Sequence, residues 1–133
     1  MVEALTFGNV EADTMAYLEP LVLVDVERVL SDPLPPGPFV RVLLTGGRRI
    51  NLSLIEHRVT LECWGGTGTD ADSQAFTLGQ STYGHMGAWR TDSIWVPEGE
   101  NAFVGSPYAD VDPDTKRPRY VMTANVRQAV THL

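Results

Sequence analysis

Cysteine is almost missing from this chain: Cys63 is the only one in 133 residues, so no internal disulfide can close. The first residues also lack a basic stretch, an apolar stretch and a small-residue cleavage site in succession, and the expectation is a reducing, cytoplasmic setting. Long apolar runs are missing as well. The longest, residues 21–24, falls far short of the roughly 20 residues that a helix needs to cross a bilayer, which excludes a membrane-spanning helix. Basic residues are scarce, 10 Lys plus Arg against 17 Asp plus Glu, giving a net charge of −7 and a pI near 4.8. A protein that grips nucleic acid by neutralising phosphates and releasing counterions needs the opposite balance, so DNA could pass such a surface without adhering to it.

Signatures of catalysis are missing in the same way. Gly65-Gly66-Thr67-Gly68-Thr69 lacks the Gly-Lys-Ser or Gly-Lys-Thr ending of a phosphate loop and reads as a strand-to-helix connection. His57, Cys63 and His85 match no compact zinc spacing, and a lone cysteine on a strand behaves as a small packed hydrophobe. Asp110, Asp112 and Asp114 alternate like a calcium loop. However, Pro113 interrupts them, no glycine stands sixth from Asp110 and no glutamate stands twelfth. No catalytic, cofactor-binding or metal-ligating residue is therefore assigned, and the expectation is a protein that is not an enzyme. Trp64, Trp89 and Trp95 read as core or groove fillers.

What the chain does contain is sheet. Residues 38–64, PFVRVLLTGGRRINLSLIEHRVTLECW, read as strand, turn and strand: Phe39-Val40-Arg41-Val42-Leu43 alternates, and Thr60, Glu62 and Trp64 share one side of the second strand. Gly46-Gly47 can adopt positive φ and precedes two cations, Arg48 and Arg49, on what should be an exposed connection. Asn9 can cap a helix from about Val10 to Glu19, with Glu11 and Asp13 in its first turn and Val10, Met15, Tyr17 and Leu18 as its buried side. Pro20 should end it, and Val22, Val24, Val26 and Val29 then alternate as a first strand.

Residues 31–38, SDPLPPGP, form a stiff connection. A second helix is expected after Thr69 or Asp70, over Ala75, Phe76, Leu78, Tyr83, Met86 and Trp89. Gly79, Gly84 and Gly87 each cost it about 1 kcal/mol relative to alanine, so it needs tertiary packing. Ile94–Val96 and Ala102–Val104 flank a turn at residues 97–101, residues 110–118 form a second loop, and a last strand alternates through Tyr120, Met122, Ala124 and Val126. The length fits one domain, residues 1–133, burying roughly two-thirds of its unfolded surface. The expected class is α+β: a mostly antiparallel sheet of four or five strands with two helices packed on one face.

The order of these pieces, from Ala16-Tyr17-Leu18 through Gly46-Gly47-Arg48-Arg49 and Val59-Thr60-Leu61-Glu62-Cys63-Trp64 to Asp112-Pro113-Asp114 and Arg117-Pro118-Arg119-Tyr120, resembles the tail terminator proteins of long-tailed bacteriophages, particularly those infecting actinobacteria. The resemblance covers nearly the whole chain and rests on order and spacing. Two departures stand out, a first helix cut short by Pro20 and a second helix rich in glycine.

The resemblance implies a virion protein of the tail and neck, made in the host cytoplasm. It would form a homohexameric ring that caps the head-proximal end of the tail tube, halts polymerisation of the major tail tube protein and joins the head-completion or stopper protein, while genomic DNA passes through the lumen unbound. Arg41, Gly46, Gly47, Arg48, Arg49 and Arg58 then become candidate contacts with a neighbouring subunit or the tube. Otherwise the four arginines are ordinary solvated cations. Arg117 and Arg119 could pair with a neighbour's acids or orient the Asp-rich loop of their own subunit. A head-side neck connector, and a small cytosolic ligand-binding domain, are the alternative functions.

Overall fold

The computed structural model describes residues 5–6, 9–129 and 131–132, with side chains over residues 9–129. In chain order its elements are β1 (Leu5–Thr6), α1 (Val10–Val22), β2 (Asp25–Glu27), β3 (Phe39–Asn51), β4 (Leu54–Trp64), α2 (Ala71–Gly87), β5 (Ile94–Trp95), β6 (Tyr108–Val111), β7 (Pro118–Ala129) and β8 (Thr131–His132), with a 3-10 turn at Gly99–Asn101.

Helix α1 starts where its cap dictates. Asn9 is extended, and its Oδ1 accepts the Ala12 amide at 3.1 Å. Val10, Thr14, Leu18 and Val22 recur every fourth residue and are buried, with Met15 and Tyr17 packed beside them. Thr14 is tolerated inside because its hydroxyl donates to the Val10 carbonyl at 2.7 Å. The helix passes through Pro20 instead of stopping at Glu19. A proline in the last turn forfeits only one amide bond, and the chain then leaves through Leu23, which is left-handed (φ 59°) and returns its N–H to Glu19 at 3.3 Å.

That extension shortens the expected first strand to β2, and β2 lies parallel to β3, with Asp25 opposite Phe39 and Glu27 opposite Arg41. The other pairs of the main sheet are antiparallel, so the sheet is mixed, with this one parallel pair in an otherwise antiparallel arrangement. Parallel neighbours require the chain to travel back before pairing. Here the proline-rich residues 28–38 do so as an irregular strap in place of a helix.

The main sheet has six strands, not four or five, in the order β2-β3-β4-β7-β5 with β6 also on β7. A separate two-stranded sheet joins β1 to β8. The extra count arises at the outer side of β7, which is served by pieces: β6 opposite residues 118–121, a bridge from Phe103 to Ala124, and β5 opposite Arg127 and Gln128. Pro97, Gly99, Gly105 and Pro107 break the segment, so no continuous strand can form there.

Alternation settles which face is core. Val40, Val42, Val59, Leu61, Cys63, Met122, Ala124 and Val126 are buried with Leu18, Val22, Leu78 and Met86 of the two helices. Both helices thus cover one face of an α+β domain. α2 can lie close to the sheet because position 79 carries no side chain: a Cβ there would stand 3.0 Å from the Tyr120 Cβ. Just beyond it, Trp89 stacks on Tyr17 with centroids 4.6 Å apart and planes 8° off parallel, locking the two helices together. Among the described residues no helix is long and apolar enough to cross a membrane.

Candidate interface on the open sheet face and its edges

The Gly46-Gly47-Arg48-Arg49 stretch is not the expected turn; it lies inside β3, and the chain reverses at Leu52-Ser53. The reversal belongs to Asn51, whose Oδ1 accepts both the Ser53 amide at 2.9 Å and the Ser53 hydroxyl at 3.0 Å. The glycines instead pass a register shift between Leu44 and Gly46. Gly47 has φ 156°, and a Cβ there would meet the Glu56 carbonyl oxygen at 2.6 Å, so no other residue fits without strain. Residues 44–53 are exposed throughout.

The sheet face opposite the helices carries paired charges in rows. Arg41 faces Glu62 at 3.6 Å across the β3–β4 pair, and Glu62 also approaches Arg119 at 3.8 Å. Arg119 continues the row by donating Nε and Nη2 to one oxygen of Asp110, at 3.0 and 2.7 Å. Its Nη1 stands 3.7 Å from Asp112, and its guanidinium lies 5.0 Å from the Trp64 ring centre. Further along, Glu56 joins Arg127 at 3.0 Å and Arg48 at 3.5 Å. Between the rows Thr45, Thr60 and Thr123 link hydroxyl to hydroxyl at 2.9 and 3.0 Å. Arg58 is exposed, and its side chain has no hydrogen-bond or ion-pair partner among the described residues. Arg49 reaches back toward the Leu52 carbonyl at 3.5 Å.

Arg119 is thus held by the Asp-rich loop of its own chain. Asp112 shapes that loop: its side chain accepts from the Thr115 amide at 2.8 Å and the Thr115 hydroxyl at 2.7 Å, and these bonds hold its carboxyl below the ordinary aspartate range.

Arg117 is not on the surface at all. It is buried, and it donates to the Gly65 carbonyl at 3.1 and 2.8 Å, to Pro35 at 2.7 Å and to Gly37 at 3.1 Å. The guanidinium also lies over the stacked Phe39 and Trp64 rings, 5.4 and 5.9 Å from their centres. It fastens the proline strap to the end of β4. An open cavity of about 650 Å³ adjoins it, lined by residues 32–34, 66–69 and 115–118 together with Ala71 and Asp72. The guanidinium spends its hydrogen bonds on those backbone carbonyls and not on a group within that space.

His57 and Cys63 are six positions apart on β4, about 20 Å at strand rise, and do not meet. His57 Nε2 lies 3.0 Å from Gln128 Oε1, while Cys63 is buried and its thiol is pushed up to about 12, first by burial. His85 lies on α2, where its carbonyl accepts the Tyr17 hydroxyl at 2.6 Å. Among the described residues no group of three or more His, Cys, Asp or Glu side chains could hold a metal ion. Trp64 and Trp89 are buried, and Trp95 is partly so.

No protein-family model matches the chain, and no curated protein matches its sequence.

Of the acids on which these arginines depend, sequence reading placed Glu62 on the side of β4 shared with Thr60 and Trp64 but passed over Glu56. Glu56 stands on that same side, and that parity was the available signal. Glu11 gave none. Its carboxylate leaves α1 to accept the Leu44 amide at 2.8 Å, a contact between residues 33 positions apart.

Proposed function

We propose that this chain is a tail terminator: a homohexameric ring that caps the head-proximal end of a phage tail tube and forms the joint to the head-completion protein. The observation that carries the reading is the two-sidedness of the fold. One face of the sheet is closed by two helices around the core. The other is a charged, half-buried face beside an uncovered hairpin at residues 44–53. A subunit that must match both a neighbour and a tube can use such a face of aligned arginines and acids.

Capping in this scheme is steric and geometric. One side of the ring matches the terminal tube layer, the other presents no equivalent acceptor, and further tube subunits have nowhere to add. The finer interface assignment is Arg41, Gly46, Gly47, Arg48, Arg49 and Arg58 on and beside the hairpin, with Arg119 contributing through the charged row and Arg117 holding the strap from inside. The net charge of −7 suits a lumen through which DNA slides. The test is genetic: a phage lacking this gene should make tails of unrestricted length that fail to join heads, and supplying the protein should restore one length. Tails of normal, uniform length in its absence would refute the proposal. A protein captured by DNA-filled heads without tails would instead mark a head-side connector.

A further inference from the structure

We propose that copies of this chain join head to tail through opposite edges of the main sheet, the outer edge of β3 on one copy meeting residues 98–104 of the next. This rests on the ring reading and names the two surfaces that would close it. The first edge is open: β2 covers β3 only from Phe39 to Arg41, the Leu44 amide is held by Glu11, and beyond that no strand among the described residues pairs with the outer side. Such an edge is a template for another chain unless it is blunted. It displays Leu44, 46% exposed, and Arg48, whose side chain is 71% exposed. The opposite edge is the broken segment beside β7, which displays Val104, 50% exposed, and Glu98, whose side chain is 86% exposed. Glu98 has one weak partner there, Arg90 at 3.6 Å.

The strand register fixes the rungs on or beside which these groups stand. Arg48, Glu56, Arg127 and Trp95 lie on one rung, and Leu44, Val59, Ala124 and Phe103 on another. Arg48 thus shares a rung with Trp95, three residues before Glu98, and Leu44 shares one with Phe103, next to Val104. Rotation about a ring axis keeps every group at its height along that axis. With the axis running along the strands, the basic end of one edge meets the acidic end of the next, and the apolar residue meets the apolar one. A two-fold pairing of β3 with β3 would bring Arg48 and Arg49 against the same residues of the partner, which like-charge repulsion opposes. The unlike edges can repeat only head to tail, the type of contact that closes rings.

The test uses Cys63 being buried and alone, so that introduced cysteines report without background. With a short bismaleimide, R48C mixed with E98C should give cross-linked dimers, the double variant R48C/E98C should give a ladder, and neither single variant alone should link. Charge supplies the second readout. R48E and E98R should each weaken self-association roughly tenfold, and mixing the two should restore it, since each then meets its opposite. Self-linking of R48C, absence of links in the mixture, or charge variants that assemble like the wild type would each overturn the pairing. If tubes are capped by a ring in which these positions do not link, the edge pairing fails and the terminator reading survives. If the links form but tail length is unaffected, the reverse holds. A protein that stays a single copy with and without tubes overturns both.

Discussion

Replacing Arg117 by methionine should cost more stability than exchanging any of the surface cations, because Arg117 is buried and ties the strap to the end of β4 through backbone carbonyls. Four hydrogen bonds, between 2.7 and 3.1 Å, run from its guanidinium to the carbonyls of Pro35, Gly37 and Gly65. A bond from a charged donor contributes about 1.5–3 kcal/mol net. Removing the side chain also leaves three carbonyls with fewer partners at a buried site. Working against that, Arg117 is desolvated without a carboxylate bonded to it. Burial lowers its pKa from the ordinary arginine value, with Asp112 offsetting part of the effect, and an apolar replacement recovers several kcal/mol of that cost. Methionine keeps contact with Phe39 and Trp64, so the net loss should be about 3 kcal/mol, within the range of severe single changes.

For a domain of this length 1 kcal/mol moves Tm by about 3–4 °C, so R117M should melt roughly 10 °C lower. R117K should recover only a small part, since one ammonium cannot point at three carbonyls in different directions. Urea unfolding followed by tryptophan fluorescence reads this directly, as Trp64 lies beside the site. A midpoint for R117M within about 0.5 kcal/mol of the wild type would refute the account of the strap.

Two further changes follow from the core. Gly84 sits in α2 with open space within 4 Å of where an alanine methyl would stand, so G84A should stabilise by about 0.5–1 kcal/mol in chemical unfolding, whereas G79A should lose that gain against Tyr120; equal gains at both positions would contradict the packing described for Gly79. The Cys63 thiol, raised from 9.0 to about 12, stays protonated in the fold after it would ionise in the unfolded chain. Its stabilising effect is complete below pH 9 and is lost as pH rises from 9 through 12, by up to about 1.4 kcal/mol per pH unit. Stability profiles of wild type and C63A between pH 8 and 10.5 should therefore converge, and parallel profiles would show that burial does not act on the thiol.

Legibility in the sequence followed locality. The Asn9 cap, the alternation of Tyr120, Met122, Ala124 and Val126, and the parity of Arg41 and Glu62 are decided by neighbours two to four residues away, and each appears in the fold as read. Pro20 misled because a proline costs little in the last turn, where only one amide bond is at stake. Gly46-Gly47 misled for a related reason: paired glycines suit a turn and a register shift equally, and what chose between them was Asn51, four residues later. The strap that carries the chain back, so that β2 pairs parallel to β3, is fastened by Arg117, about eighty residues away. Nothing near Arg117 in sequence distinguishes it from Arg119, yet one is buried against carbonyls and the other lies in the charged row. The edge residues Arg48 and Glu98 were each readable as charged. The rung that Arg48 shares with Trp95 was not, because β5 is two residues long and its register is set by the turns around it.

The measurement that tests the central claim most directly is negative-stain electron microscopy of the protein mixed with polymerising tail-tube protein of the same phage. The account predicts tubes bearing a six-fold ring at one tip, with growth at that tip stopped. Bare tubes that keep growing at both ends in the presence of excess protein would contradict it.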